Sequence, residues 1–105
     1  MPGCVKLSFD GGVLCASIVG ELDHHVAKGV REEIDGELIE KRPRRLHLDF
    51  SHLTFMDSSG IGLILGRREL CERLGVELWL VGLSKTTRKL VRLSGIERLS
   101  GVVIK

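Results

Sequence analysis

Two adjacent hydroxyls, Ser58 and Ser59, stand in the run Phe55-Met56-Asp57-Ser58-Ser59-Gly60-Ile61-Gly62-Leu63-Ile64-Leu65-Gly66-Arg67-Arg68. The run reads as the end of a strand, a tight polar turn and then an apolar helix. Both serines therefore fall where a helix begins. A hydroxyl there can lie at the surface beside several unpaired backbone N–H groups. Those groups and the helix dipole favour negative charge, so a dianionic phosphate is tolerated. The pattern permits a serine switch. On the residues alone, the commoner alternative is that one of the two is simply a helix N-cap.

Other chemistries fit less well. A nucleophilic serine lacks its GxSxG setting, and no histidine is placed by sequence to serve Ser58, so an enzyme is not expected. Asp57 could be the acceptor of an aspartate-phosphorylated receiver. The first strand, however, lacks the acidic pair that would hold Mg²⁺, with only Asp10 near its end. His24, His25, His47 and His52 form no i, i+4 pair and no HExxH, so no metal is expected. His24 and His25 are neighbours and should point to different sides of a helix. Gly60, Gly62 and Gly66 match neither GxGxxG nor a Walker loop, so no nucleotide cofactor is expected. Each glycine costs a helix about 1 kcal/mol relative to alanine. Close packing and close approach of a partner both stand open for Gly60. Packing is the expected reason at Gly62 and Gly66.

Composition narrows the class. A chain of 105 residues reads as one domain, 1–105, able to bury roughly 65% of its unfolded surface. No apolar run is long enough to span a membrane, and no leader precedes the first strand, so a cytoplasmic protein is expected. The net charge of +2 comes from mixed charges. The basic cluster Lys41-Arg42-Pro43-Arg44-Arg45 has no interleaved aromatics and reads as a solvated turn, not a nucleic-acid site. Cys4, Cys15 and Cys71 are odd in number and lack CxxC spacing. Across a hairpin turning at Asp10-Gly11-Gly12, Cys15 should face about Leu7 and Cys4 about Ile18, so the two cannot easily bond.

The elements that must position the serines follow from periodicity. Val5, Leu7 and Phe9 alternate with polar residues, giving a first strand, and Val13 to Val19 gives a second. Asp23 is a good N-cap for a helix over about 24–41, with Val26, Val30, Ile34 and Leu38 on one stripe and Pro43 beyond its end. Leu46, Leu48 and Phe50 mark a third strand. The helix after Asp57 runs to about Leu74, with Ile61, Ile64, Leu65, Cys71 and Leu74 on one side and Gly75 as its stop. Val76, Leu78 and Leu80 mark a fourth strand, with Trp79 expected to pack under a helix. Ser84 caps a third helix carrying Leu90, Val91 and Leu93, which ends at Ser94-Gly95. A last strand spans about Leu99 to Ile104. The fold class is therefore α/β: a small mixed sheet with an opening antiparallel hairpin, then strands joined through about three helices packed over it.

Two stretches resemble the bacterial anti-sigma factor antagonist family, whose fold is the STAS domain. They are Phe55-Met56-Asp57-Ser58-Ser59-Gly60-Ile61-Gly62, with Leu65-Gly66-Arg67 following, and Gly20-Glu21-Leu22-Asp23-His24-His25 after strand two. Ser94-Gly95-Ile96 is a weaker third match. The similarity runs over nearly the whole chain and is nearest to members that act in sporulation. A general stress pathway would use the same fold and chemistry. The resemblance implies a partner-switching cycle without catalysis by this chain. The unphosphorylated antagonist binds an anti-sigma factor that is also a serine kinase, and so frees the sigma factor. The kinase then phosphorylates the first serine of the turn, here Ser58, and a metal-dependent serine phosphatase resets it. Ser59 matches the second, non-acceptor serine, and Asp23 a residue that helps dock the kinase. Partner contacts are implied at Glu21, Asp23, His24, Asp57, Ser58, Ser59, Gly60 and Ile61, with a monomer expected when free. Members often continue into a C-terminal helix, which this sequence does not show.

Overall fold

The computed structural model describes residues 1–105. Its opening hairpin joins β1 (Cys4–Asp10) to β2 (Val13–Leu22) through only two residues, Gly11 and Gly12. Both hold positive φ, 58° and 79°, the requirement of a tight turn whose twist matches the strands. Asp10 therefore stays in the ladder opposite Val13. The register sits one residue from the expected one: Cys15 faces Ser8 rather than Leu7, and Cys4 faces Val19 rather than Ile18. The two cysteines remain four rungs apart, and all three thiols are free.

After the hairpin come α1 (His24–Lys41), β3 (Arg45–Asp49), β4 (Leu53–Met56), α2 (Ser58–Leu74), β5 (Glu77–Val81), α3 (Lys85–Ser94) and β6 (Val102–Ile104). The sheet order is β1-β2-β3-β5-β6, parallel except for the hairpin. Parallel rungs put Leu14, Leu46 and Leu78 side by side, and Ala16, Leu48 and Leu80 beside those. All six are fully buried. Val30, Ile34 and Leu38 of α1, Leu63, Ile64 and Cys71 of α2, and Val91 of α3 close over them in a single core.

Four expectations need correcting. There are six strands, not five: β4 is a separate strand that leaves the third and pairs with the far end of β2. Trp79 does not lie under a helix. The alternation that buries Leu78 and Leu80 turns it to the open face of the sheet. There it stacks on His47 (ring centroids 5.2 Å apart), lies under Arg45 (4.1 Å), and donates from Nε1 to Glu77. Leu65 and Leu93 are exposed, 40% and 73%, because the inward stripes run through Leu63, Ile64 and Arg67 in α2 and through Thr87 and Val91 in α3. Gly62 and Gly66 are not packing glycines, since a Cβ at either meets nothing within 4 Å.

Gly60 is the packing glycine: a Cβ there would overlap the Met56 side chain. Opposite outcomes are therefore expected from one substitution. Gly66→Ala should raise stability by about 1 kcal/mol through helix propensity. Gly60→Ala should lower it by roughly 1–2 kcal/mol, because Met56 must move. Thermal denaturation of the two variants checks both signs.

Between the helices, Arg67 Nε of α2 lies 2.8 Å from Asp35 Oδ1 of α1. Arg67 is almost wholly buried. The contact is a charge pair without good hydrogen-bond alignment, and Arg67 Nη1 also reaches the Leu63 carbonyl at 3.5 Å. Burial pushes the Asp35 carboxyl above its ordinary value, while Arg67 and Arg31 pull it back. Burial likewise pushes the nearby Cys71 thiol up to about 11. Only a thiolate reacts readily, so a thiol reagent at neutral pH should label exposed Cys4 quickly and leave Cys71 unlabelled until denaturant is added. Peptide mass mapping would show the order.

Candidate functional site

The two serines are positioned by a pair of matched turns. At Gly20 (φ 85°) β2 shifts register and passes from β3 to β4, a bulge that re-aims its last residues. Glu21 then lies opposite Phe55, and Leu22 opposite Met56. Two parallel strands thus end side by side, and the Asp57 N–H donates to the Leu22 carbonyl at 3.3 Å. Each strand gives way to a helix through an aspartate in extended conformation. Asp23 Oδ1 accepts from the His25 and Val26 N–H groups at 2.9 and 3.2 Å. Asp57 Oδ1 accepts from the Ser59 N–H at 2.8 Å.

The cap of α2 is therefore Asp57, not a serine. Ser58 is the first helical residue and is exposed; Ser59 is the second and is half-buried. Neither hydroxyl is used in capping. The supply of free donors is smaller than the sequence suggested. Asp57 takes the Ser59 N–H through its side chain and the Gly60 N–H through its carbonyl, which leaves the Ser58 N–H beside the Ser58 hydroxyl. A phosphate on Ser58 would still meet the positive end of the dipole, but with the Asp57 carboxylate next to it.

The other residues named from sequence gather around this point with different exposures. Glu21 is exposed and accepts from the Met1 amino group at 3.1 Å. Asp23 is half-buried in its capping role. His24 and His25 do not diverge: their rings lie 4.0 Å apart, and His25 Nδ1 is 3.8 Å from Asp23 Oδ2. Ile61 is half-buried against the core. Gly60 is buried beside Met56, so it shapes the turn from inside. His47 and His52 are elsewhere, on β3 and in the turn before β4. No group of three or more His, Cys, Asp or Glu side chains could hold a metal ion.

Sequence reasoning missed three neighbours. Phe55, one strand residue before Met56, is 50% exposed. Lys28 and Arg31 of α1 line a groove of about 350 Å³ together with His24, Ser59 and Gly62. Their i, i+3 spacing on α1 was visible, but not that this stripe faces the start of α2.

A sequence profile of the STAS domain matches residues 5–103. The chain belongs to the STAS family. Among its relatives is an anti-sigma F factor antagonist of Paenibacillus polymyxa, 33% identical over 95 residues, 90% of this chain and 81% of the relative. Among solved structures, this STAS domain resembles the anti-sigma factor antagonist SpoIIAA in its unphosphorylated form, with TM-score 0.76 and 28% identity over 97% of this chain and 87% of that one. It resembles the phosphorylated form of Bacillus SpoIIAA about equally, with TM-score 0.75 and 29% identity over 97% and 91%. The chain is thus a regulatory protein of the anti-sigma factor antagonist kind, with the mixed sheet and three helices of that fold. No helix in it is long and apolar enough to cross a membrane.

Proposed function

We propose that this STAS domain is a serine-switched antagonist. Unphosphorylated, it binds an anti-sigma factor that is also a serine kinase and releases the sigma factor. Phosphorylation of Ser58 ends that binding, and a serine phosphatase restores it. The observation that carries this reading is the exposed Ser58 hydroxyl, left free because Asp57 does the capping. Glu21, Asp23, His24, Asp57, Ser59 and Ile61 form the surface around it, with Gly60 supporting from below. The chain acts as a monomer, without cofactor, nucleic acid or catalysis of its own. The relationship to an anti-sigma F factor antagonist supports a sporulation-type sigma factor over a general stress one.

An aspartyl-phosphate receiver is disfavoured by placement. Asp10 pairs with Val13 at one end of β2, whereas Asp57 lies beside Leu22 at the other end. The Asp57 carboxylate is also committed to its cap.

Intact and fragment mass after incubation with the anti-sigma kinase and Mg-ATP tests the reading. One acid-stable phosphate on Ser58, lost in Ser58→Ala, is the expected result. No phosphate from an active kinase, or an acid-labile one on Asp57, would overturn it.

A further inference from the structure

The surface beside Ser58 is electrically divided. Glu21, Asp23 and Asp57 supply carboxylates on the turns. The groove between α1 and α2 is instead walled by Lys28 and Arg31, with His24 at its mouth. Neither Lys28 nor Arg31 belongs to any of the six salt bridges, and Asp35, the acid whose carboxyl feels Arg31, is paired with Arg67. Ala27, Gly62 and Leu63 line the groove as well, and a side chain at Gly62 would meet nothing within 4 Å. The glycine costs α2 about 1 kcal/mol of helix propensity and gains no packing in return. The result is an open groove of about 350 Å³ whose two cations make no salt bridge of their own.

We propose that this groove receives an acidic segment of the anti-sigma partner, its carboxylates paired by Lys28 and Arg31 while its chain passes over Gly62. The proposal rests on the reading above that the partner docks at this end of the molecule, and it names the chemistry of one contact. Cationic walls and acidic turns together fix orientation, since a segment laid in reverse would set like charges against each other. Ser59 lies in the groove and Ser58 beside it, so phosphate on Ser58 would add negative charge where the acidic segment must approach.

Two measurements on the full chain test this. First, the ¹⁵N-labelled protein is titrated with hexaglutamate and with hexalysine. Hexaglutamate should shift the amides of Ala27, Lys28, Arg31, Ser59 and Gly62, hexalysine should not, and Lys28→Glu/Arg31→Glu should abolish the shifts. Shifts confined to the Arg42–Arg45 turn, or surviving the double variant, would overturn the proposal. Second, affinity for the anti-sigma kinase should fall about tenfold in Lys28→Glu/Arg31→Glu at low salt and less at high salt, with a thermal midpoint lowered by no more than a few degrees through the lost attraction between Arg31 and Asp35. Lys28→Arg/Arg31→Lys should retain binding. Gly62→Gln should weaken binding while holding or raising stability. Equal binding by wild type and the double charge reversal would overturn the groove and leave the serine switch standing. A wild-type chain that binds no such kinase would instead overturn the docking reading, and the peptide titration would then judge the groove by itself.

Discussion

Phosphorylation of Ser58 should lower affinity for the anti-sigma partner by about 100-fold while moving the thermal midpoint by less than about 5 °C. The two effects separate because they arise in different places. Within the domain, the phosphate adds about −1.5 to −2 charges at the first residue of α2. The helix dipole favours an anion there by about 0.3–1 kcal/mol, and repulsion from the Asp57 carboxylate offsets it. A net change under about 1 kcal/mol corresponds to a few degrees for a domain of this size. No contact within the domain has to break, because Ser58 is exposed and its hydroxyl caps nothing. At an interface the same charge is desolvated beside Asp57 and Asp23, where like charges cost several kcal/mol. About 2.7 kcal/mol is 100-fold. Calorimetric binding and denaturation of the phosphorylated chain give both numbers. Ser58→Asp, with one charge and a shorter reach, should show a weaker form of the same pattern, and Ser58→Ala should bind like the unmodified chain. A midpoint lowered by more than about 10 °C would mean that the turn needs the free serine structurally. Unchanged affinity would remove Ser58 from the interface.

The features legible in the sequence were those set by near neighbours. Asp23 and Ser84 cap α1 and α3 from the positions expected, and Gly75 and Gly95 end α2 and α3 with φ of 71° and 83°. Each signal is a short-range bargain between one side chain and the next turn of backbone. Asp57 belongs to the same class, but the serines beside it are equally good caps, and only geometry shows which one takes the Ser59 N–H. Apart from the hairpin register and the adjacent His24 and His25 rings, the errors lie where a distant partner decides. β4 is four residues long and exists because the end of β2, freed by the bulge at Gly20, offers it a ladder. Trp79 follows its alternation faithfully, but the alternation does not say that all three helices cover the other face. The Lys28–Arg31 groove requires α1 and α2 to start side by side. That adjacency comes from two parallel strands 30 residues apart in sequence.

Arg67→Leu should cost about 3 kcal/mol of stability, the largest loss expected from a single change away from the apolar core. A buried ion pair gains little overall, because desolvating two charges consumes most of their attraction, but removing one partner leaves the other uncompensated. The lower end of the 3–5 kcal/mol range applies because the Asp35 side chain keeps 27% of its surface exposed. Such a loss lowers the thermal midpoint by more than about 12 °C. It should also depend on pH, with a sign that identifies its cause. Burial already raises the folded-state value of Asp35 above its unfolded one, with Arg67 among the groups restraining the rise. Without Arg67 the folded value climbs further. Between the unfolded and folded values the native state then binds more protons than the unfolded state, so stability falls as pH rises through that window. Arg67→Leu should therefore lie nearest to wild type in acid and diverge from it as pH rises from about 4 towards neutrality. Asp35→Leu/Arg67→Leu should recover most of the loss and flatten the profile, since an apolar pair of similar volume replaces the ion pair at little cost. Urea denaturation of the three proteins across pH measures all of this. A single variant that runs parallel to wild type at every pH would mean that Arg67 acts by packing alone, through its buried stem. If instead the double variant regains stability but binds the partner less well, the charge pair also sets the spacing of α1 and α2.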